Sequence, residues 1–92
     1  MKAAIFYGAK DIRVENVAEP QMVGPGEVRL KPFWCGICGT DVHATQGLFP
    51  WAPPMVLGHE VAGTIDAVGA DVAGLAVGDR VAVCPSRPCG QC

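Results

Sequence analysis

Cys35-Gly36-Ile37-Cys38-Gly39-Thr40-Asp41-Val42-His43 places two thiols, a hydroxyl, a carboxylate and an imidazole in one short stretch, and Gly58-His59-Glu60 adds an imidazole beside an acid. Thiolate and imidazole are the preferred ligands of zinc, and carboxylate is the third common one. Cys38 and His59 are the leading ligand candidates. Each sits next to glycine, which lets the backbone approach a metal closely. Against that stands a plain packing role, with Cys38 a small buried thiol and His59 a hydrogen-bonded core histidine. Cys89-Gly90-Gln91-Cys92 is the other concentration of reactive groups. Cys35-x-x-Cys38 and Cys89-x-x-Cys92 each have the spacing of a metal knuckle or a redox pair. Together they describe an alternative protein, a non-catalytic zinc-stabilised β module with a single site made of all four of these thiolates. The gap between the pairs exceeds the usual ~15–20 residues of such a ribbon.

The elements that must position these groups read as strands. Lys2 to Tyr7 is short and apolar, and Gly8 ends it. Asp11 to Val17 alternates polar and apolar, the mark of a half-buried strand. Ala18 to Gly26 is a loop. Glu27 to Lys31 alternates again, and Pro32, which cannot donate to a ladder, belongs at an edge or a bulge. Gly39 to Thr45 suits a short helix, capped by Thr40 or Asp41 through their side-chain oxygens. Gly47 to Pro54 is a proline-bearing loop. Val61 to Val68 puts Val61, Gly63, Ile65 and Ala67 on one face of a strand. Ala70 to Gly78 is a loop, and Asp79 to Cys84 is the last strand, with Cys84 in a packing role. Pro85 to Cys92 shows no hydrophobic period. About five short strands joined by Gly/Pro loops make a mainly β chain, a barrel or a sandwich.

The 92 residues allow one domain at most, and the half that are hydrophobic argue against disorder. Nine acidic against seven basic side chains give a net charge of −2, which disfavours nucleic acid and a basic membrane-binding face. No run approaches the ~18 apolar residues of a membrane span, and the first residues are too briefly apolar for a signal peptide. The expected location is therefore cytoplasmic. Five cysteines, an odd number, then point to reduced thiols or metal ligands rather than a disulfide framework.

Three stretches in order carry a resemblance: Cys35 to His43, then Pro54-Met55-Val56-Leu57-Gly58-His59-Glu60-Val61-Ala62-Gly63, then Val77-Gly78-Asp79-Arg80-Val81. Together they resemble the zinc-dependent medium-chain alcohol dehydrogenases, and the resemblance runs from Met1 to Cys92. Trp34-Cys35-Gly36-Ile37-Cys38 is similar to the polyol branch, which includes butanediol, sorbitol and threonine dehydrogenases. The resemblance implies that residues 1–92 are the N-terminal part of a GroES-like catalytic domain, a truncated partial β-barrel with a short helix after the first zinc ligand. It implies Cys38 and His59 as catalytic-zinc ligands, with Glu60 beside them or alternating as a ligand. Thr40 would take the alcohol proton, His43 would relay it to solvent, and Asp41 would orient the ligand histidine. For Asp41 and Thr40 the plain alternative is a helix cap; for His43 it is a solvated helix residue. Cys89 and Cys92 match the start of a structural-zinc lobe. Zinc would polarise the alcohol oxygen for hydride transfer to NAD or NADP. The sequence holds no G-x-G-x-x-G segment, so the nucleotide-binding domain lies outside these residues. The isolated piece is expected to bind zinc poorly and oxidise nothing. The implied partners are a small alcohol or polyol and, for the parent protein, further copies of itself. Phe49, Trp51 and Leu57 are candidates for an apolar pocket wall.

Overall fold

The computed structural model describes residues 1–21 and 24–92. Residues 22 and 23, inside the loop expected from Ala18 to Gly26, lie outside the described residues. The chain divides into two compact units, Met1–Pro20 with Ile37–Gly58, and Gln21–Gly36 with His59–Cys92.

The first unit is built on β1 (Lys2–Gly8), β2 (Asp11–Asn16), α1 (Gly39–Thr45) and β4 (Met55–Val56). Its sheet has the order β2-β1-β4, all antiparallel. Central strand β1 buries both Ile5 and Phe6, consecutive residues that face opposite sides of the sheet. The β1–β2 turn places Lys10 at φ 62, in the left-handed region. Its N–H donates to the Thr45 carbonyl at 2.8 Å, which ties the turn to the end of α1. The helix contacts β1 and buries Ala44 completely.

The second unit holds β3 (Val28–Gly36), β5 (Glu60–Val68) and β6 (Arg80–Ala82), in the order β3-β5-β6. All neighbours are antiparallel. Gly63 and Ile65 are buried, two residues apart on one face of β5. At Gly63 the strands approach so closely that a Cβ would collide with the Lys31 carbonyl oxygen and lie 2.9 Å from Pro32 Cα. Only glycine fits there.

Pro32 stands where the sequence puts it, on the edge strand and beside the register shift between Pro32 and Trp34, the two places where a missing donor is tolerated, and β3 runs on through Phe33, Trp34 and Cys35. Two expectations need adjustment. The described residues form six strands, not five. β4 is two residues long and follows directly on the proline-bearing loop that ends at Pro54. Cys84, expected to pack, is exposed, since β6 ends at Ala82 and the chain leaves the sheet before the thiol.

Candidate metal centre

Helix α1 gathers four of the candidate residues into its first turns. It spans Gly39–Thr45 with Cys38 at the N-cap position. The cap expected from Thr40 or Asp41 acts differently. Asp41 is the third helical residue, and its Oδ2 reaches back to accept the Cys38 N–H at 2.9 Å. That is the acidic half of a capping box. Asp41 is only 8% exposed, so its carboxylate locks the Cys38 backbone from within the packed unit. Its negative charge also suits the positive end of a helix. Thr40 and Cys38 are half-buried, while His43 is exposed. Thr40 and His43 are three residues apart and therefore neighbours on the helix surface.

His59 and Glu60 stand at the start of β5. His59 is half-buried, and Glu60 is exposed and pairs in register with Gly36. Cys35, one step back, pairs with Val61, and its thiol points at the Gly36 carbonyl at 3.7 Å. A cavity of about 470 Å³ is walled by His59, Glu60, Val61, Val83 and Pro85. The imidazole and carboxylate thus border an open, largely apolar space.

Cys89 and Cys92 lie beyond the last strand on exposed chain, with their Sγ atoms 3.0 Å apart. The contact holds the Cys89 thiol below its ordinary range, helped by the Gln91 N–H at 3.4 Å. The same contact pushes Cys92 up. One thiolate sharing the other's proton is the physical cause of both shifts.

Phe49 and Trp51 touch through their rings, with centroids 5.0 Å apart and planes at 60°. Leu57 is half-buried and donates its N–H to the Ala4 carbonyl at 2.9 Å, so it extends the edge of the first sheet. Among the described residues no helix is long and apolar enough to cross a membrane. Sequence reasoning passed over Gly36, whose empty side-chain position is filled by Glu60. Its signal was a glycine between two cysteines, and its meaning needed the strand register.

Residues 24–92 match the alcohol dehydrogenase GroES-like domain family. Sorbitol dehydrogenase of Bombyx mori is 44% identical over 94 residues, covering 98% of this chain and 27% of that protein. (R,R)-butanediol dehydrogenase of Bacillus subtilis is 41% identical over 97 residues, covering 92% of this chain and 28% of that protein. Among solved structures, galactitol-1-phosphate dehydrogenase of Escherichia coli superposes with a TM-score of 0.93 at 37% identity, covering 100% of this chain and 27% of that one. The chain spans about a quarter of the length of the relatives it matches. A mainly β GroES-like fold with one short helix, and sequence likeness along nearly its whole length, make this chain a member of the zinc-dependent medium-chain alcohol dehydrogenase family, on its polyol side.

Proposed function

We propose that residues 1–92 supply the N-terminal part of the catalytic domain of a zinc-dependent dehydrogenase acting on a small alcohol or polyol with NAD or NADP. The protein carrying them would act in the cytoplasm as a homo-oligomer. The donor chemistry fits zinc: Cys38 offers a half-buried thiol, His59 a half-buried imidazole and Glu60 a carboxylate. Local structure supports the set. The register pair Gly36–Glu60 leaves two residues of chain to Cys38 and one to His59, so both donors hang on short tethers from one point of the β3–β5 ladder. When bound, zinc supplies Lewis acidity towards an alcohol oxygen, and a nicotinamide dinucleotide supplies the electron-pair acceptor.

The chain's own residues then bind, orient and move a proton. Asp41 holds the Cys38 backbone through the 2.9 Å hydrogen bond, which fixes where the thiol starts. The Thr40 hydroxyl accepts the substrate proton and passes its own on. His43, one helical turn further and exposed, delivers that proton to water. The observation that carries this reading is α1 itself: one seven-residue helix bears a half-buried thiol at its cap, then a half-buried hydroxyl, then an exposed imidazole. Cys89 and Cys92 would begin a separate, structural zinc site, for which a closed thiolate set is the rule.

The test is zinc content per chain of the full-length protein, paired with NAD(P)+ reduction on a panel of alcohols and polyols. Cys38→Ser should lose one zinc and all activity, Cys35→Ser should keep both, and Cys89→Ser should lose a different zinc together with thermal stability. Loss of one and the same zinc in all three variants, with no alcohol oxidised by the wild type, would overturn the proposal.

A further inference from the structure

Gly36 and Glu60 are register partners in the β3–β5 ladder. Directly opposed residues of an antiparallel pair project to the same face. Gly36 has nothing there, and Glu60 occupies the space. A Cβ at Gly36 would collide with Glu60 Oε2 and lie 3.1 Å from Glu60 Cβ and 3.4 Å from Cδ. The Glu60 side chain is therefore folded across the ladder onto its neighbour's backbone.

Conformation does not demand glycine at this place. Gly8, Gly47, Gly58, Gly74, Gly78 and Gly90 are the glycines with positive φ, and Gly36 is not among them. The register shifts of this ladder also fall elsewhere, between Arg29 and Leu30 and between Pro32 and Trp34. What position 36 provides is room. The contrast with Gly63 is clear: a Cβ there collides with backbone, whereas at Gly36 the collision is with the far end of a flexible side chain, whose own Cβ at 3.1 Å must give only by a few tenths of an ångström. Alanine at 36 would move a carboxylate and spare the sheet.

We propose that Gly36 is a positioning residue: its empty side-chain position seats the Glu60 carboxylate and so fixes where that charge stands beside His59. The inference rests on the reading that places Glu60 at the zinc. A carboxylate near a dication strengthens its binding by simple attraction. Filling the seat displaces that charge, so Gly36→Ala should mimic removal of the acid.

The experiment is competition of the full-length protein with a chelator, reading zinc affinity at the site emptied by Cys38→Ser, for Gly36→Ala, Glu60→Ala and the double variant. Glu60→Ala and Gly36→Ala are each expected to weaken zinc by about tenfold or more, the usual effect of losing a group that supports a metal's ligands. The double variant should be no weaker than Glu60→Ala alone. Glu60→Asp, which leaves position 36 untouched and withdraws the charge from the seat, should also weaken zinc. If Glu60→Ala leaves affinity unchanged, the placement of Glu60 at the metal is wrong and the inference falls with it. If Glu60→Ala weakens zinc but Gly36→Ala or Glu60→Asp does not, the seat alone is wrong. If Gly36→Ala weakens zinc equally with and without Glu60, Gly36 acts by another route and the inference is overturned.

Discussion

Cys38 stands at the head of α1 with its N–H held at 2.9 Å by buried Asp41, and Glu60 opens the central strand β5 with His59 immediately before it. Cys89 and Cys92 lie past β6 on exposed chain with neither helix nor strand, and their thiols meet each other. All are zinc-type donors, yet only the first group has a frame. Ordering a residue costs roughly 1–2 kcal/mol of backbone entropy. Folding meets that cost for the framed donors. On the proposed reading a metal at Cys89–Cys92 would have to supply it, so binding there would be coupled to local ordering.

The frame can be broken at Gly63. Gly63→Ala forces the β3 backbone away at Lys31 and Pro32. A loss of about 1–3 kcal/mol is expected from such overpacking, read as a lower midpoint of urea unfolding. His59 and Glu60 should then exchange their amide hydrogens as fast as the tail does. An unchanged midpoint would mean the sheet absorbs the methyl and the frame is softer than described.

Asp41→Ala attacks the backbone of the framed thiol. It removes the acceptor for the Cys38 N–H, at a cost of about 1–2 kcal/mol for a lost cap. Cys38 should then react with a thiol reagent at a rate approaching that of exposed Cys89. If Cys38 stays as slow as in the wild type, burial rather than the Asp41 hydrogen bond shields it.

Metal removal sharpens the same contrast with a smaller signal. Stripping zinc from the full-length protein with a chelator should raise hydrogen exchange across residues 85–92 while residues 39–45 stay protected. Equal gains in both segments would show that α1 also depends on metal.

The smallest effect is expected at the exposed Asp11–Arg13 pair, 2.8 Å apart and remote in sequence from every donor. The Arg13 guanidinium hydrogen-bonded to Asp11 holds its carboxyl below the ordinary 3.8. A depressed carboxyl contributes stability that is present above the unfolded value and lost as pH falls through the folded one. Asp11→Asn should therefore lower Tm slightly at neutral pH, with the difference fading as pH falls from 3.8 through the lowered folded value. A difference that persists in acid would assign the effect to something other than the ion pair.

Much of this was legible from residue order. α1 spans Gly39–Thr45, the stretch read as helical, because its signals are local: glycines and threonine at its bounds and an acid in its first turn. β5 was legible by alternation, with Gly63 and Ile65 buried on one face. The head of the helix was half legible: Asp41 does accept an orphan N–H there, but a carboxylate that reaches back from the third position looks in sequence like one that stands at the cap itself. Pro32 was legible as an edge or bulge position because proline has no N–H to donate, but which of the two needed the strand order and register: β3 is the edge strand and shifts register just after Pro32. Two-residue β4 offers no period to read.

The sequence by itself determined the kinds of donor, their grouping, the short helix headed by Cys38, and through its motifs the family. Those are local properties, set by side-chain chemistry and neighbours along the chain. Tertiary structure decided that Glu60 lies opposite Gly36, that Gly63 admits no side chain, that Cys84 faces water and that Asp41 is buried. Each depends on strand register or packing between residues distant in sequence, where a slip of one residue turns every side chain to the opposite face.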